Sequence, residues 1–584
     1  MATTEDRQQT PASKKNGAAR MALRYGPFLV AAALIGGAIA VFGGGGDDDD
    51  ASSGGGGGGG AVVTDEDQLI RSGPMTPQRA ELEGKTDVDF GPNCDTETEK
   101  IKLPMVYAPP CVVPFEGDNG GATTPGVTGD EILVIRYETD PARDPLFAAQ
   151  IAASGAEVNP ETAQQTAEDY VDIYQKVFET YGRTVKVVPF IGSGAGDDAE
   201  AARADALAIG DMKPFAVIGG PSRQGPVFAS ALAAEGVICL GTCPVAVPDS
   251  IAKDNSPYIF NNGQTPNQAA ALAAEAIGKL AGPGKAELAG DEALQAKDRV
   301  YAVVHYDTPD GDQEEVHESL LSELDSYGIK PAVDIKFFLD LNRMQENVRT
   351  WVAQMEDAGV TTVIFTGDPL TPAALTKEAT AQGFRPEWIL GQNVLADQAL
   401  FGRTFDQEQW VHGFGIGLNT SRGEEETGDP FHIYDWAYDA RPPNNTYNII
   451  EPPLRLLYIG IHLAGEKLTP ETFRDGLFRY PPTGGGATDP QISRGEHGVW
   501  PSIDYGGTDD AALIWYDADE PGVDEVGKDG VGLYRYAKMG QRYTLGHLPD
   551  SFEEAGLFDE ASSVTIFKTI PAEDVPPDYP PPDL

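Results

Sequence analysis

A chain of 584 residues is longer than one ordinary hydrophobic core supports, so two or three globular units with tails are expected. Its 91 acidic residues outweigh 42 basic ones, for a formal net charge of −49. Such a surface repels phosphate backbones and excludes nucleic acid as an expected partner, while bearing on solubility rather than on fold.

Residues 1–24 form a basic tail carrying Arg7, Lys14, Lys15, Arg20 and Arg24, expected to stay cytoplasmic. The uncharged run 25–46, containing GPFLVAAALIGGAIAVF, is expected to be a signal segment or a transmembrane anchor to the cell membrane, leaving the rest of the chain extracytoplasmic. Ala38-Ile39-Ala40 fits a cleavage site, so retention and removal both remain open. Residues 47–60, rich in Gly and Asp, read as a flexible linker, and 61–127 as an irregular lead-in that packs on the folded body. The four cysteines fall into two close pairs. An even number in an exported chain predicts local disulfides joining Cys94 to Cys111 and Cys239 to Cys243; a metal site would need histidines beside either pair, and none is there.

The folded body is expected to begin with a strand at 130–137. A helix ending near Tyr181, a strand at 184–190, a Gly192-Ser193-Gly194-Ala195-Gly196 loop and a helix at 198–209 come after it. The stretch FAVIGGPSRQGPVFASALAAEGVICLGT, residues 215–242, is the clearest βαβ unit. Two fully apolar strands flank a helix, and a Gly219-Gly220-Pro221-Ser222 turn closes the first of them. A short strand at 257–260 and an Ala-rich helix at 268–280 come next. The rhythm then restarts at Arg299: strands at 299–305, 332–338, 361–365 and 387–390 alternate with helices at 313–327, 342–358 and 372–382. Helices at 445–464 and 469–478 and strand-like runs at 498–503 and 511–516 complete the body, and a Pro-rich extension, 541–584, is expected to end extended or disordered. Alternating signals of this kind predict doubly wound parallel sheets, whose ligands sit at the carboxyl ends of the strands.

No reactive constellation is legible. Counted from Gly192, Gly192-x-Gly194-x-Gly196 lacks the third glycine of a dinucleotide fingerprint, with Asp197 in its place. Counted from Gly194, the looser GxGxxA form is met by Ala199, but Asp197 and Asp198 would face the pyrophosphate, so Asp197 or Asp198 is expected simply to cap the following helix. No P-loop, HExxH or nucleophile elbow occurs, and the acidic loop after His305 has the wrong oxygen spacing for calcium. The chain is therefore expected not to be an enzyme, and to need no metal or cofactor. Ser222, at a helix start, can either cap that helix or hold an anion.

Taken together, GDEILVIRY, GAGDDAEAARADALAI, FAVIGGPSRQGPVFASALAAEGV, DRVYAVVHYDTPDGDQ and GVTTVIFTGDPLTPAALTKEATAQGF resemble the type I periplasmic-binding-protein family. Within it, the nearest group is the substrate-binding protein of branched-chain amino acid (Leu/Ile/Val-type) ABC transporters. The resemblance covers residues 128–517. It implies two α/β lobes, 128–262 plus 429–494 and 297–416 plus 498–540, joined by three crossings near 262–298, 417–428 and 494–497. It also implies a small-molecule ligand held between the lobes and handed to an ABC permease; a sensor or accessory surface protein on the same fold is the alternative. Family positions fall on Tyr137 and Glu138, on Ser222 and Arg223 as grip for a ligand carboxylate, and on Thr242. In the second lobe they fall on Asp307 and Thr308, Asp368, Gln392 and Asn393. Where relatives commonly carry an acid to meet the ligand's ammonium, Asn393 is an amide, and Asp368 stands where an aromatic is common. Amides, polyols, aromatic acids and short peptides therefore stay open beside amino acids.

Overall fold

The computed structural model describes residues 65–144, 147–148, 159–308, 311–340, 343–393, 395–423, 429–525 and 528–584. The basic tail, the apolar segment 25–46 and the linker 47–60 lie outside the described residues. Among the described ones, no helix is long and apolar enough to cross a membrane.

Five strands form a first sheet: β1 (Glu131–Glu138), β2 (Thr184–Ile191), β3 (Ala216–Ile218), β4 (Ile238–Gly241) and β5 (Ile259–Asn261). Their order is β2-β1-β3-β4-β5, and every pairing is parallel. Every residue of β3 and β4 is buried, as continuous apolar runs covered on both faces by crossover helices should be. Asp198 does cap the helix Ala199–Met212, its carboxylate accepting from the Ala201 N–H at 3.0 Å, so the glycine loop before it is a turn into a capped helix.

A second sheet repeats the pattern with β6 (Tyr301–Tyr306), β7 (Val333–Phe337), β8 (Thr362–Gly367), β9 (Glu387–Asn393) and β10 (Phe414–Gly417). These run parallel in the order β7-β6-β8-β9-β10, the first sheet's order displaced by five strands. A two-residue strand β11 (Arg422–Gly423) comes next, and β12 (Asp510–Val523), β13 (Asp529–Tyr536) and β14 (Arg542–Thr544) extend the second sheet antiparallel from β10. Finally β15 (Ile566–Phe567) pairs with β11. The expectation of two parallel α/β sheets therefore holds. The expected strand-like run at 511–516 is the buried inner half of β12; its outer part, DADEPGV at 517–523, escaped the sequence reading because it is polar and exposed or half-buried instead of apolar. Conversely, 498–503 forms no ladder strand; Pro501 and a run of bends occupy it.

The chain passes between the sheets three times. After β5, residues 262–265 lead into the helix Pro266–Ala276, whose Ala270, Leu272 and Ala273 pack with Tyr301, Val303 and Ile364 of the second sheet. After β10 it returns to the helix Tyr447–Ala464, where Leu454 and Leu457 join the first core. Ile503 and Tyr505 still pack on the first core, and the second sheet is reached only at Asp510, so the third crossing lies closer to 506–509 than to 494–497.

Both ends of the described chain are tied down. The lead-in buries Ile101, Leu103, Met105 and Tyr107 in the first core and carries the Cys94–Cys111 disulfide; Cys239 and Cys243 are also bonded. The C-terminal extension contributes Leu548 and Leu557 to one face of the second sheet and Val564 and Phe567 to the other. Its Pro-rich end runs extended but anchored: Trp436 Nε1 donates to the Tyr579 carbonyl and the Tyr579 hydroxyl to Asp95, both at 2.7 Å.

Candidate functional site

A cavity of about 310 Å³ lies between the carboxyl ends of the two sheets, where ligands of doubly wound folds bind. Thr242 and Asn261 approach it from the ends of β4 and β5; His305, Asp368 and Asn393 approach from the ends of β6, β8 and β9. Asn262, Leu418, Asn419 and Thr508, all on the crossings, close one side. Two of its non-glycine residues, Ala246 and Leu395, hold φ of 55° and 63°, backbone strain of the kind that concentrates at binding sites.

Of the residues singled out in the sequence, Thr242, Asp368, Gln392 and Asn393 line this cavity. Asp368 also caps the helix Thr371–Gln382, accepting from the N–H groups of Leu370 (2.7 Å) and Thr371 (2.8 Å) and from the Thr371 hydroxyl (2.6 Å). Full burial pushes its carboxyl above the ordinary aspartate value despite those bonds. The Asn393 amide donates to the Gly391 carbonyl and accepts from the Asp397 N–H, shaping the loop after β9.

The other six point elsewhere. Ser222 is fully buried and Arg223 nearly so: Arg223 Nη2 pairs with Asp144 at 3.1 Å and with Asp197 at 3.3 Å, while its Nη1 donates to Ser222 Oγ. The cause is local. Gly219 sits at φ 75°, where a Cβ would come within 2.5 Å of the Tyr137 carbonyl, and the tight turn leads Ser222 against Gly196 and Asp144. Tyr137 turns inward to donate to Asp205 at 2.9 Å, and Glu138 pairs with Arg136 beside it. Asp307 accepts from the N–H groups of Thr308 and Gln313 and pairs with Lys336, and Thr308 closes the same turn through Asp312.

Several lining groups were not legible in the sequence. Asp397 is buried and fastens the second crossing, accepting from the Leu418 and Asn419 N–H groups (3.0 and 3.3 Å) and from the Asn419 amide (2.7 Å); burial pushes its pKa up to about 6. Gln264 donates to the Asp510 carbonyl, and its Oε1 is buried without a partner among the described residues. Burial and the neighbouring His317 push His305 down to about 4, and both rings lie with Asp334 in a group able to hold a metal ion, a cluster that was not singled out in the sequence. The signal available was His317 itself, on the inward face of its helix beside Val316, Leu320 and Leu324.

The polar lining is made of amides, hydroxyls, two histidines and the carboxyls of Asp368 and Asp397. Among the described residues lining it there is no Lys or Arg. Arg223 is felt only at a distance, at Tyr306, whose hydroxyl burial and Asp368 push up to about 12.

No protein-family model and no curated protein matches the sequence. Among solved structures, the chain is similar to the branched-chain amino acid transporter substrate binding protein from Streptococcus pneumoniae in complex with isoleucine, at 14% identity over 69% of this chain and 99% of that one, TM-score 0.43. It is similar to a solute binding protein of an ABC transporter from Rhodopseudomonas palustris HaA2 in complex with p-hydroxybenzoic acid, at 12% identity over 72% and 98%, TM-score 0.46. A third is the ABC transporter substrate-binding protein from Desulfitobacterium hafniense in complex with Leu, at 13% identity over 71% and 100%, TM-score 0.39.

Proposed function

We propose that this protein is an extracytoplasmic solute-binding protein that captures a small polar molecule between two closing lobes and delivers it to an ABC-type permease, held at the membrane by its N-terminal segment. The carrying observation is the cavity between the carboxyl ends of two parallel sheets of matching strand order. Its volume is at the lower end of the range usual for small-molecule sites, about 300 to 1,000 Å³. Three crossings border it, the arrangement in which hinge closure can enclose a ligand. The two disulfides support an exterior location.

The lining narrows the ligand. Gln264 offers an unpartnered acceptor, Asp368 and Asp397 are carboxyls, and no cation lines the described wall. A free carboxylate would have to be buried without a counter-charge, which is costly. The favoured ligand is thus a donor-rich neutral or cationic molecule, such as an amide, polyol or amine, with Thr242, Gln392 and Asn393 among its contacts. Thermal-shift screening of matched amide, polyol, amine and carboxylate panels tests this, because a ligand that binds only the folded state raises Tm. Hits confined to neutral and cationic compounds are expected. Hits confined to carboxylates would overturn the ligand class, and a folded protein unmoved by every panel, with nothing copurifying by native mass spectrometry, would overturn the function.

A further inference from the structure

His305 at the end of β6 and His317 on the helix Glu314–Ser326 stack face to face, with ring centroids 3.4 Å apart and planes 3° from parallel. Both turn Nε2 toward one carboxylate, Asp334 on β7, at 3.4 Å from His305 and 2.9 Å from His317. The histidines are 4% and 7% exposed, whereas the Asp334 side chain is 42% exposed at the sheet edge. Each ring also keeps a buried Nδ1 with no hydrogen-bond partner among the described residues.

Hydrogen bonding alone accounts poorly for this geometry. Two imidazoles stacked in the same sense set like dipoles side by side, and protonating both would place two positive charges a van der Waals distance apart in a buried site. A single divalent cation resolves the conflict by taking both Nε2 lone pairs and the carboxylate at once, which requires the two rings to splay from their parallel stack so that their in-plane lone pairs converge. We propose that His305, His317 and Asp334 form a binding site for a divalent transition-metal ion of the Zn²⁺ class. Two imidazoles and one carboxylate are a donor set suited to Zn²⁺, Co²⁺ or Ni²⁺, whereas Mg²⁺ and Ca²⁺ prefer all-oxygen sites. Ligand atoms around a tetrahedral zinc with bonds of about 2.0 to 2.2 Å stand roughly 3.3 to 3.6 Å from one another. The candidate atoms here all lie within 4.8 Å of one another. The ion fastens the helix Glu314–Ser326 to the edge strand. Because His305 and His317 also line the cavity, it stiffens one wall of the cleft. The site does not require the cleft to hold a solute, so the two readings fail separately; a bound ion would itself put positive charge on the cavity wall, and the ligand panels are therefore run on the metal-free chain.

The test is metal uptake by the full chain after chelation and exchange into metal-free buffer. Zn²⁺ is titrated calorimetrically and Co²⁺ by its visible d–d absorption, against Mg²⁺ and Ca²⁺ controls that report the loose cation binding expected of so acidic a chain. One Zn²⁺ per chain is expected, together with Co²⁺ bands of four-coordinate intensity. Loss of an outer-sphere partner typically costs metal sites about 10- to 100-fold in affinity, so removing a direct ligand in Asp334→Asn is expected to cost at least about 100-fold. Asp334→Asn changes a half-exposed carboxylate to its isostere and keeps the test usable should His305→Ala or His317→Ala fail to fold. Zn²⁺ uptake and Co²⁺ spectra unchanged in Asp334→Asn and in the folded histidine variants, or no Zn²⁺ uptake beyond that of Mg²⁺ in the wild type, would overturn the proposal.

Discussion

Arg223 and Asp144 form an ion pair buried from solvent, Nη2 to Oδ2 at 3.1 Å, with side chains 6% and 1% exposed. Asp144 additionally accepts from the Gly196 N–H at 3.0 Å, so the pair fastens the turn after β3 to the loop after β2. Removing one member of a buried pair strands the other, at a typical cost of about 3 to 5 kcal/mol. Asp144→Ala leaves Arg223 paired only with the half-exposed Asp197 at 3.3 Å, so it is expected to lower unfolding free energy by about the lower end of that range in urea titration. The double variant Asp144→Leu/Arg223→Met is expected to recover much of the loss. A double variant as unstable as the single one would show that packing of the loop, not the charge, dominates.

That pair also shows where sequence reasoning reached its limit. The βαβ alternation over residues 215–242 is written in local composition, as apolar runs, a Gly-Gly-Pro turn and an Ala-rich helix, whereas Thr242, Asp368, Gln392 and Asn393, which line the cavity, came from the positions that the family resemblance implied. Ser222 and Arg223 lie in the same turn. Their direction depends on the positive φ of Gly219 and on Asp144, far upstream in the chain, neither of which a motif encodes. The His305, His317 and Asp334 group joins a strand end, a helix face and the next strand, so only the folded register of β6 against β7 brings it together. Asp397 was illegible for the same reason, because its partners Leu418 and Asn419 belong to the crossing after β10.

Asp397 makes stability depend on pH. Its folded pKa is pushed up to about 6 by burial, above the ordinary aspartate value of 3.8. Between those values the folded state binds more protons than the unfolded state, so stability falls as pH rises from about 4 to about 6 and then levels off. Two pKa units correspond to about 3 kcal/mol at most, measured as the shift in urea midpoint across that window. Asp397→Asn is expected to flatten this part of the profile. An unchanged profile in that variant would assign the slope to other carboxyls.

The Cys94–Cys111 bond closes a loop with a sequence separation of 17. Chain-entropy reasoning gives such a loop about 3 kcal/mol. The lead-in nonetheless also buries Leu103 and Tyr107 in the first core, so it should stay docked when the bond is absent. Cys94→Ser/Cys111→Ser is expected to lower Tm by several degrees with a single cooperative transition. Preferential proteolysis of residues 65–127 in the folded variant would instead show that the disulfide alone holds the lead-in.

Two substitutions on the cavity wall are expected to act with opposite sign. Gly241 ends β4 at φ 72°, and a Cβ there would stand 2.7 Å from Pro453 Cβ on the helix Tyr447–Ala464. Gly241→Ala combines left-handed strain of about 1 to 2 kcal/mol with overpacking of about 1 to 3 kcal/mol. Ala246 already carries the left-handed cost at φ 55°, so Ala246→Gly relieves it while adding freedom to the unfolded chain, for a net change between zero and about 1 kcal/mol of stabilisation. Calorimetric unfolding of the two variants checks both signs. Because both residues line the cavity, Gly241→Ala should also weaken binding of any compound that raises the wild-type Tm, as the displaced β4 end carries Thr242 with it. Equal stability of the two variants would show that the loop after β4 relaxes freely and does not hold the cavity wall in place.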